Sequence, residues 1–265
     1  MKKIIALVLA VAMIASVAML AGCGNSNSKQ SGGGSTKEKL TMATNATFPP
    51  YEYKEGEEFV GIDVEIAKAI ADKLGMELEI ADIEFDSIIT GVQTGKYDMG
   101  MAGMSVTDER KQSVDFSDSY ATGIQAVIVK EGSEIKTADD LLAKDTSYKV
   151  GVQLSTTGDI YIGDDYEKAG KDESLITRFQ SGNDAVTALA SGKVDAVVID
   201  NEPAKSYVAS TKGLQILDSK YAEEDYAICF AKNNTELKDK VNGALKELIA
   251  DGTVKNIIDK YIKAN

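Results

Sequence analysis

Histidine and tryptophan are absent from this chain of 265 residues, which contains two cysteines and three prolines. With no histidine and no clustered cysteines, the sequence lacks the ligand sets that hold zinc, so we predict no metal and no cofactor. Acid–base catalysis would have to rest on carboxylates or lysine, and we find no pair of them placed for it. The net charge of −13 argues against nucleic acid as a partner, and by itself it says nothing about the charge of a small ligand.

The N-terminal segment has the composition of a signal peptide. Lys2 and Lys3 precede an apolar run at 4–20, and small residues follow it as far as Cys23. The Leu-Ala-Gly-Cys sequence that ends at Cys23 resembles the bacterial lipobox, in which the cysteine is lipidated and becomes the first residue. The alternative is a membrane span, because the run approaches the ~20 residues that cross a bilayer. We predict a signal peptide at 1–22 and, at 23–36, a lipidated cysteine with a flexible linker.

Cys229 lies within an apolar stretch at 226–230. It has no partner for an internal disulfide once Cys23 is lipidated. We interpret it as a small buried hydrophobe, with a reactive thiol as the alternative.

Strand and helix patterns alternate along the rest of the chain. Isoleucines at positions 62, 66 and 70 and a leucine at 74 are spaced four apart, and Gly75 follows, which predicts a helix that ends there. Thr137 and Asp140 have the spacing of a capping box and predict a helical segment at 137–143. Further helices are predicted at 86–94, after positions 155, 182 and 201, and as a pair in 235–262. The predicted strands are 40–44, 77–81, 97–102, 124–129, 148–153, 175–179, 194–199 and 226–231. Such alternation indicates an α/β fold.

Residues 95–98 and 192–195 repeat one local pattern, in which Gly-Lys, a variable residue and Asp stand between a predicted helix and an apolar strand. Glycine at a helix end is ordinary helix-to-strand turn chemistry. The repeat therefore fits either two lobes of one design or two unrelated turns.

Polar residues stand where several predicted strands end. Ser105 and Arg110 follow one strand, Asp200 ends another, and Thr157 lies in a polar loop after the strand near 150. In open α/β sheets ligands bind at the carboxyl ends of strands. An α-amino acid needs a guanidinium and backbone N–H groups for its carboxylate, and a carboxylate for its ammonium group. The alternatives are that Arg110 lies in a solvated charge run at 108–111 and that Asp200 is a helix N-cap.

The motifs taken together resemble one family. They are Gly-Ile-Asp-Val-Glu-Ile at 61–66, Phe-Asp-Ser-Ile-Ile at 85–89, 95–98, Ala-Gly-Met-Ser-Val-Thr-Asp-Glu-Arg at 102–110, Asp-Phe-Ser-Asp at 115–118, 150–153, 156–158, 194–200, 251–253 and 260–261. Their order and spacing are similar to those of the polar amino-acid family, family 3, of bacterial extracellular solute-binding proteins. The resemblance implies the type II periplasmic-binding-protein fold, with two α/β lobes joined by two crossover segments around a ligand cleft. The implied boundaries are lobe one at 37–119 plus 227–265, lobe two at 125–221, and hinges at about 120–124 and 222–226.

The same resemblance implies the binding residues. Arg110 holds the ligand carboxylate, Asp200 on the other lobe holds the amino group, and Phe48 and Phe85 flank the side chain. The full implied set is Asn45, Phe48, Phe85, Ala102, Gly103, Ser105, Arg110, Gln153, Thr156, Thr157 and Asp200.

The implied function is that of the extracytoplasmic substrate-binding component of an ABC importer for a polar amino acid, acting by lobe closure. The implied protein is a monomer that meets the permease subunits and is held by its lipid anchor at the outer face of the cytoplasmic membrane or in the periplasm. Asn45 stands where relatives that bind glutamine or basic amino acids usually carry Asp, so we expect a glutamine-like or asparagine-like ligand, with cystine or a basic amino acid as alternatives. A ligand-sensing receptor module and a lyase or dehydratase on the same fold are the alternative functions.

Overall fold

The computed structural model describes residues 37–218 and 221–262. The predicted signal peptide, the lipidation of Cys23 and the linker lie outside the described residues. Within the described part of the chain, no helix is both long and apolar enough to cross a membrane.

The secondary structure confirms the predicted alternation of strands and helices. The part up to residue 116 contains β1 (Lys39–Thr44), β2 (Thr47–Phe48), β3 (Glu52–Glu55), β4 (Glu58–Val60), α1 (Ile62–Leu74), β5 (Glu77–Asp82), α2 (Phe85–Gln93), β6 (Met99–Gly100), α3 (Asp108–Ser113) and β7 (Val114–Phe116). The next part contains β8 (Ala121–Lys130), a 3-10 helix (Ala138–Leu142), β9 (Val150–Gln153), α4 (Thr157–Ala169), a second 3-10 helix (Glu173–Leu175), β10 (Ile176–Phe179), α5 (Gly182–Ser191), β11 (Ala196–Asp200), α6 (Asn201–Ser210), β12 (Leu214–Ile216) and β13 (Ala222–Tyr226). The last part contains β14 (Cys229–Ala231), α7 (Thr235–Ala250) and α8 (Thr253–Tyr261).

Two mixed sheets organise these elements. The first has the strand order β5-β1-β6-β14-β7, and the second has the order β10-β9-β11-β8-β12 with β13 also paired to β8. The strands β2, β3 and β4 form a small third sheet. We call the first sheet with its helices the first lobe and the second sheet with its helices the second lobe. This two-lobed α/β architecture is the predicted fold class.

The chain passes between the lobes twice, between β7 and β8 and between β13 and β14. The strands β8 and β13 pair with each other in antiparallel register from Ala121 opposite Tyr226 to Gln125 opposite Ala222. The predicted hinge segments thus lie side by side in one two-stranded ribbon. The boundaries of the lobes and hinges stay predictions.

Helix α1 illustrates how the core forms. Ile62, Ile66 and Ile70 are fully buried, and α1 packs on α7. Gly75 ends the helix in the left-handed conformation, with φ of 70°. The helix therefore begins and ends as its four-residue spacing predicted.

Three predicted segments differ from the structure. The predicted strand 97–102 is reduced to Met99–Gly100, and the predicted strand 226–231 is split into β13 and β14. The split arises because Ala227 donates its N–H to the Met104 carbonyl, so the chain leaves the β8 ladder there. The segment 137–143 is a 3-10 helix, although its capping box between Thr137 and Asp140 is formed.

The repeated pattern at 95–98 and 192–195 has one structural role in both lobes. Asp98 accepts a hydrogen bond from the N–H of Thr41, the third residue of β1, at 2.7 Å. Asp195 accepts one from the N–H of Lys149, just before β9, at 2.8 Å. In each case the aspartate precedes one strand and binds a backbone N–H in, or next to, the parallel strand beside it. The two lobes therefore share this local design.

Cys229 is fully buried, and burial raises the pKa of its thiol to about 12. This confirms its interpretation as a small hydrophobe, because the reactive form of cysteine is the thiolate.

Gly61 allows an unusual start of α1. The helix has no side-chain cap, and its first N–H groups, those of Ile62 and Asp63, donate to the carbonyls of Pro50 and Tyr51. The backbone of 50–51 must therefore lie directly against residue 61. A Cβ atom there would lie 2.2 Å from the Tyr51 oxygen, and φ is 124°.

We expect Gly61→Ala to lower the free energy of unfolding by about 2–4 kcal/mol, because it combines backbone strain with a clash against main chain. The matched control is Gly56→Ala, since φ is 64° at Gly56 and a Cβ there meets nothing within 4 Å. The control should cost about 1 kcal/mol. Urea unfolding of both variants measures the difference, and equal costs would contradict this account of the helix start.

Candidate functional site

A cavity with about 310 Å³ of space between protein atoms lies where the two lobes face each other. Its lining consists of Asn45, Phe48, Glu52, Phe85, Ala102, Gly103, Ser105, Arg110, Gln153, Thr156, Thr157 and Asp200. The structure thus brings together all eleven residues of the predicted binding set, and it adds Glu52. That these residues bind a ligand stays a prediction.

Arg110 is a buried cation at the centre of this lining. Thr107 caps α3 by accepting the N–H of Arg110, which turns the side chain inward, and only 5% of the residue is exposed. Its guanidinium donates to the Ser105 carbonyl at 2.8 Å and to the Ser155 carbonyl at 3.0 Å, and it lies 5.4 Å from the centre of the Phe85 ring. Burial lowers its pKa below the ordinary value, and the nearby charge of Glu224 opposes that shift.

The solvated charge run is therefore the wrong interpretation for Arg110, although Asp108, Glu109 and Lys111 are exposed. Within residues 37–218 and 221–262 no carboxylate lies in ion-pair contact with the guanidinium. A buried guanidinium with two of its five donors on carbonyls can still bind an external carboxylate in bidentate fashion.

Asp200 supplies the opposite charge from the second lobe. It ends β11 and occupies the N-cap position of α6, but its side chain makes no capping hydrogen bond. The Tyr226 hydroxyl donates to it instead. The pKa of the carboxyl is raised to about 7, chiefly by burial; the Tyr226 hydrogen bond opposes this shift and the charge of Glu224 adds to it. The N-cap interpretation therefore explains the position of Asp200 but not its side chain.

The start of α4 forms one wall of the cavity. Thr156 caps this helix by accepting the N–H of Asp159. Ser155, just before it, has a φ of 62°, which places its carbonyl on Arg110. Non-glycine residues with positive φ are uncommon and cluster at functional sites. The first N–H groups of a helix have no partner within the helix, so the start of α4, where Thr156 and Thr157 line the cavity, suits an anion.

Thr157 has a more restricted role than its sequence position indicates. Its hydroxyl donates to Glu224 at 2.9 Å and accepts from Gln125 at 3.3 Å. The hydroxyl proton is therefore committed, so toward a ligand Thr157 offers lone pairs or its backbone N–H. Glu224 itself lies on β13, in the ribbon that joins the lobes.

Direct contacts join the two lobes around the cavity. Gln153 donates to the Asn45 side chain at 3.0 Å, and the Ser105 and Thr157 hydroxyls lie 3.4 Å apart. The Tyr207 hydroxyl donates to the Thr47 carbonyl. Because each pair has one member in each lobe, the residues of the site depend on how the lobes are arranged.

Gly103 and Phe48 pack closely on the first-lobe side. A Cβ atom on Gly103 would lie 2.9 Å from the Phe48 ring, and φ at Gly103 is 51°. The Gly103 N–H donates to Asp63 at 2.8 Å, which fixes the loop. Phe48 also stacks on Tyr51, with ring centres 6.0 Å apart.

Glu52 is the lining residue that sequence reasoning missed. It lies on β3, is 1% exposed, and its Oε2 atom accepts no hydrogen bond from the described residues. Burial raises its pKa well above the ordinary carboxyl value, and the neighbouring charge of Asp63 adds to the shift. The segment Glu-Tyr-Lys-Glu at 52–55 has no pattern that indicates which residue is buried, so the sequence contains no usable signal for it.

Comparison with known proteins agrees with this geometry. Residues 40–264 match the sequence profile of the family described as bacterial extracellular solute-binding proteins, family 3. The arginine-binding extracellular protein ArtP of Bacillus subtilis is 40% identical over 250 residues, which cover 91% of this chain and 92% of that protein.

Solved structures give the same result. An ancestral arginine-binding protein bound to arginine superposes with a TM-score of 0.79 at 40% identity, covering 86% of this chain and 99% of that one. The structure of an ancestral arginine-binding protein bound to glutamine has a TM-score of 0.78 at the same identity and coverage.

Proposed function

Because this chain belongs to family 3 of the bacterial extracellular solute-binding proteins, we propose that it binds one polar or basic L-amino acid between its lobes and delivers it to an ABC importer. The family consists of extracytoplasmic binding proteins and not of enzymes, so the lyase alternative falls away. The observation that carries the proposal is that a buried guanidinium from one lobe, Arg110, and a buried carboxyl group from the other, Asp200, line the same cavity.

The α-carboxylate of the ligand is assigned to Arg110 and to the N–H groups at the start of α4. Both donors act on the same anion, the first by a charged fork and the second by backbone dipoles. The α-ammonium group is assigned to Asp200, with the Ser105 hydroxyl as a further acceptor. The zwitterionic main chain of the ligand thereby supplies a counter-ion to each of the two buried groups, Arg110 and Asp200.

Ligand binding and lobe arrangement are coupled in this scheme. Arg110 belongs to the first lobe, and Asp200 and α4 belong to the second. A ligand shifts a conformational equilibrium by as much as its affinity differs between the two states. Only the arrangement that brings both charges to one zwitterion gives full affinity, so the amino acid favours the closed arrangement.

Names of similar proteins support the ligand class. ArtP is named for arginine, and solved structures of an ancestral arginine-binding protein show it bound to arginine and bound to glutamine. We extend the proposal to a lipid anchor at Cys23, to a monomeric state and to contact with permease subunits.

A thermal-shift screen of the purified protein against the twenty amino acids, cystine and ornithine tests the proposal. A ligand at a hundred times its Kd stabilises the native state by roughly 2.7 kcal/mol. For a chain of this size that corresponds to a rise in Tm of roughly 5–10 °C. A rise of this size with one or a few amino acids is expected. No rise with any of them, in a sample that unfolds cooperatively, would refute the proposed function.

A further inference from the structure

Buried carboxyl groups outnumber buried cations around the cavity. Arg110 is the buried cation there, while Glu52, Asp63, Asp200 and Glu224 are buried carboxyl groups. This local excess is independent of the overall net charge, because surface charges are screened by solvent and buried ones are not. The main chain of an amino acid is a zwitterion and leaves the excess unchanged.

The four carboxyl groups are not equivalent. Glu224 accepts from Gln125 and Thr157, and Asp200 accepts from the Tyr226 hydroxyl. The Oε1 atom of Glu224 accepts no hydrogen bond from the described residues, but Glu224 is not part of the cavity lining, and Asp200 is assigned to the α-ammonium group.

Asp63 and Glu52 form a second pair. Asp63 accepts from the Gly103 N–H and from the Tyr120 hydroxyl, each at 2.8 Å. Glu52 has neither donor, and it lines the cavity directly. The groups whose charge acts on Glu52 are Asp63 and Asp200, and the charge of Glu52 in turn contributes to the raised pKa values of the tyrosines at 51, 120 and 207.

A proton shared between Glu52 and Asp63 would give a partner to one unpartnered oxygen of each. Glu52 Oε2 and Asp63 Oδ1 are both buried and accept no hydrogen bond from the described residues. Two ionised carboxylates offer only acceptors, so they attract each other only when one carries a proton. Asp63 already has two donors and keeps its charge more easily, with a pKa raised by burial to about 6. The proton therefore resides on Glu52.

We propose, building on the amino-acid-binding function above, that Glu52 recognises the ligand's side chain and makes a cationic side chain, guanidinium or ammonium, the preferred one. The zwitterionic main chain is matched by Arg110 and Asp200, so a cationic side chain is the remaining group that can neutralise an ionised Glu52. Binding of such a side chain releases the Glu52 proton to solvent. A neutral amide leaves the proton in place and accepts a hydrogen bond from, or donates one to, the uncharged carboxyl group.

Glu52 changes the ligand expected from Asn45, which was a glutamine-like or asparagine-like amino acid. That expectation rested on the loss of one carboxylate at position 45. Glu52 supplies another carboxylate to the same cavity, and Asn45 itself is engaged with Gln153. A basic ligand therefore has a counter-ion that the sequence alone did not reveal.

Calorimetric titration of the full-length protein and of Glu52→Gln with L-arginine, L-lysine and L-glutamine tests the proposal. Glu52→Gln should raise the Kd for arginine and lysine by about 30-fold or more and leave that for glutamine within about threefold. Glu55→Gln is the matched control, because Glu55 is on the same strand with an exposed side chain, and it should change neither.

The pH dependence gives an independent measurement. The ratio of the Kd for glutamine to the Kd for arginine should rise with pH above the ordinary carboxyl range in the wild type, because the pKa of Glu52 is raised and only arginine binding requires Glu52 to ionise. Asp200 contributes equally to both ligands and cancels from the ratio. In Glu52→Gln the ratio should be constant.

Three outcomes would overturn the proposal in distinguishable ways. Equal losses for arginine and glutamine in Glu52→Gln would assign Glu52 to the α-ammonium group. Unchanged arginine binding in the variant would place side-chain recognition elsewhere. A wild type that binds neither ligand would refute the proposed function itself.

Discussion

Arg110→Ala is expected to raise the Kd of the cognate amino acid by about 100- to 1,000-fold, since removal of one partner of a buried charge pair typically costs about 3–5 kcal/mol. The guanidinium is the one buried cation in the cavity lining. Without it the ligand carboxylate would lose both its counter-ion and its two parallel N–H donors. The stabilisation of the protein by its ligand in a thermal-shift assay should disappear with it.

Arg110→Lys should raise the Kd almost as much as Arg110→Ala does. An ammonium group is a point charge with three donors and cannot bind carboxylate oxygens in parallel. It also cannot reproduce the bonds to the carbonyls of Ser105 and Ser155, one of which joins the lobes. We expect at most a partial recovery of affinity relative to alanine.

Lys111→Ala is the matched control for both variants. It removes a cation from the neighbouring position of α3, where the side chain is exposed and pairs with Asp108. Its Kd should equal that of the wild type. If Arg110→Ala binds within about threefold of the wild type while remaining folded, the carboxylate lies elsewhere and the assignment of the cavity is wrong.

Periodicity predicted the frame of the molecule well because the frame is built from local rules. Helix α1 needs only its isoleucine spacing and Gly75. The repeated pattern at 95–98 and 192–195 was visible in the sequence, but the structural role of its aspartates was not. The hydrogen bonds from the Thr41 N–H to Asp98 and from the Lys149 N–H to Asp195 span 57 and 46 residues, and no local pattern specifies them.

The residues of the candidate site were predicted mainly from the resemblance to the family. The residue types alone left two interpretations of Arg110 open, a solvated charge run and a ligand-binding residue. Its neighbours at 108, 109 and 111 are exposed, and its own burial depends on the Ser155 carbonyl, 45 residues away. Neither the residue types nor the family resemblance indicated Glu52. Its burial depends on the start of α1, where Gly61 lets the backbone of 50–51 approach, and on Asp63 within that helix.

Asp200→Asn is expected to raise the Kd by about 100-fold at neutral pH, because a neutral amide replaces the counter-ion of the α-ammonium group without changing its shape. The Tyr226 hydroxyl can still donate to the amide oxygen, so the variant should fold. Asp164→Asn is the control, since Asp164 is exposed on α4, and it should bind as the wild type does.

The pH profile identifies the charge that is lost. The folded-state pKa of Asp200 is raised to about 7, above the unfolded value near 3.9, so Asp200 is protonated below neutrality and must lose a proton before it can hold an ammonium group. Glutamine affinity in the wild type should therefore rise by up to about tenfold per pH unit between about pH 5 and pH 7 and level off above that. Asp200→Asn should lose this dependence.

Stability without ligand should change in the opposite direction. The native state holds the Asp200 proton more tightly than the unfolded chain, so this group's contribution to stability is full below about pH 4 and declines as pH rises to about 7. Comparing wild type with Asp200→Asn isolates this residue, because Glu52 and Asp63 titrate in both proteins. Unfolding free energies whose difference is flat between about pH 4 and pH 7 would show that Asp200 ionises at its ordinary value, and the assignment of the ammonium site to a desolvated carboxyl group would fail.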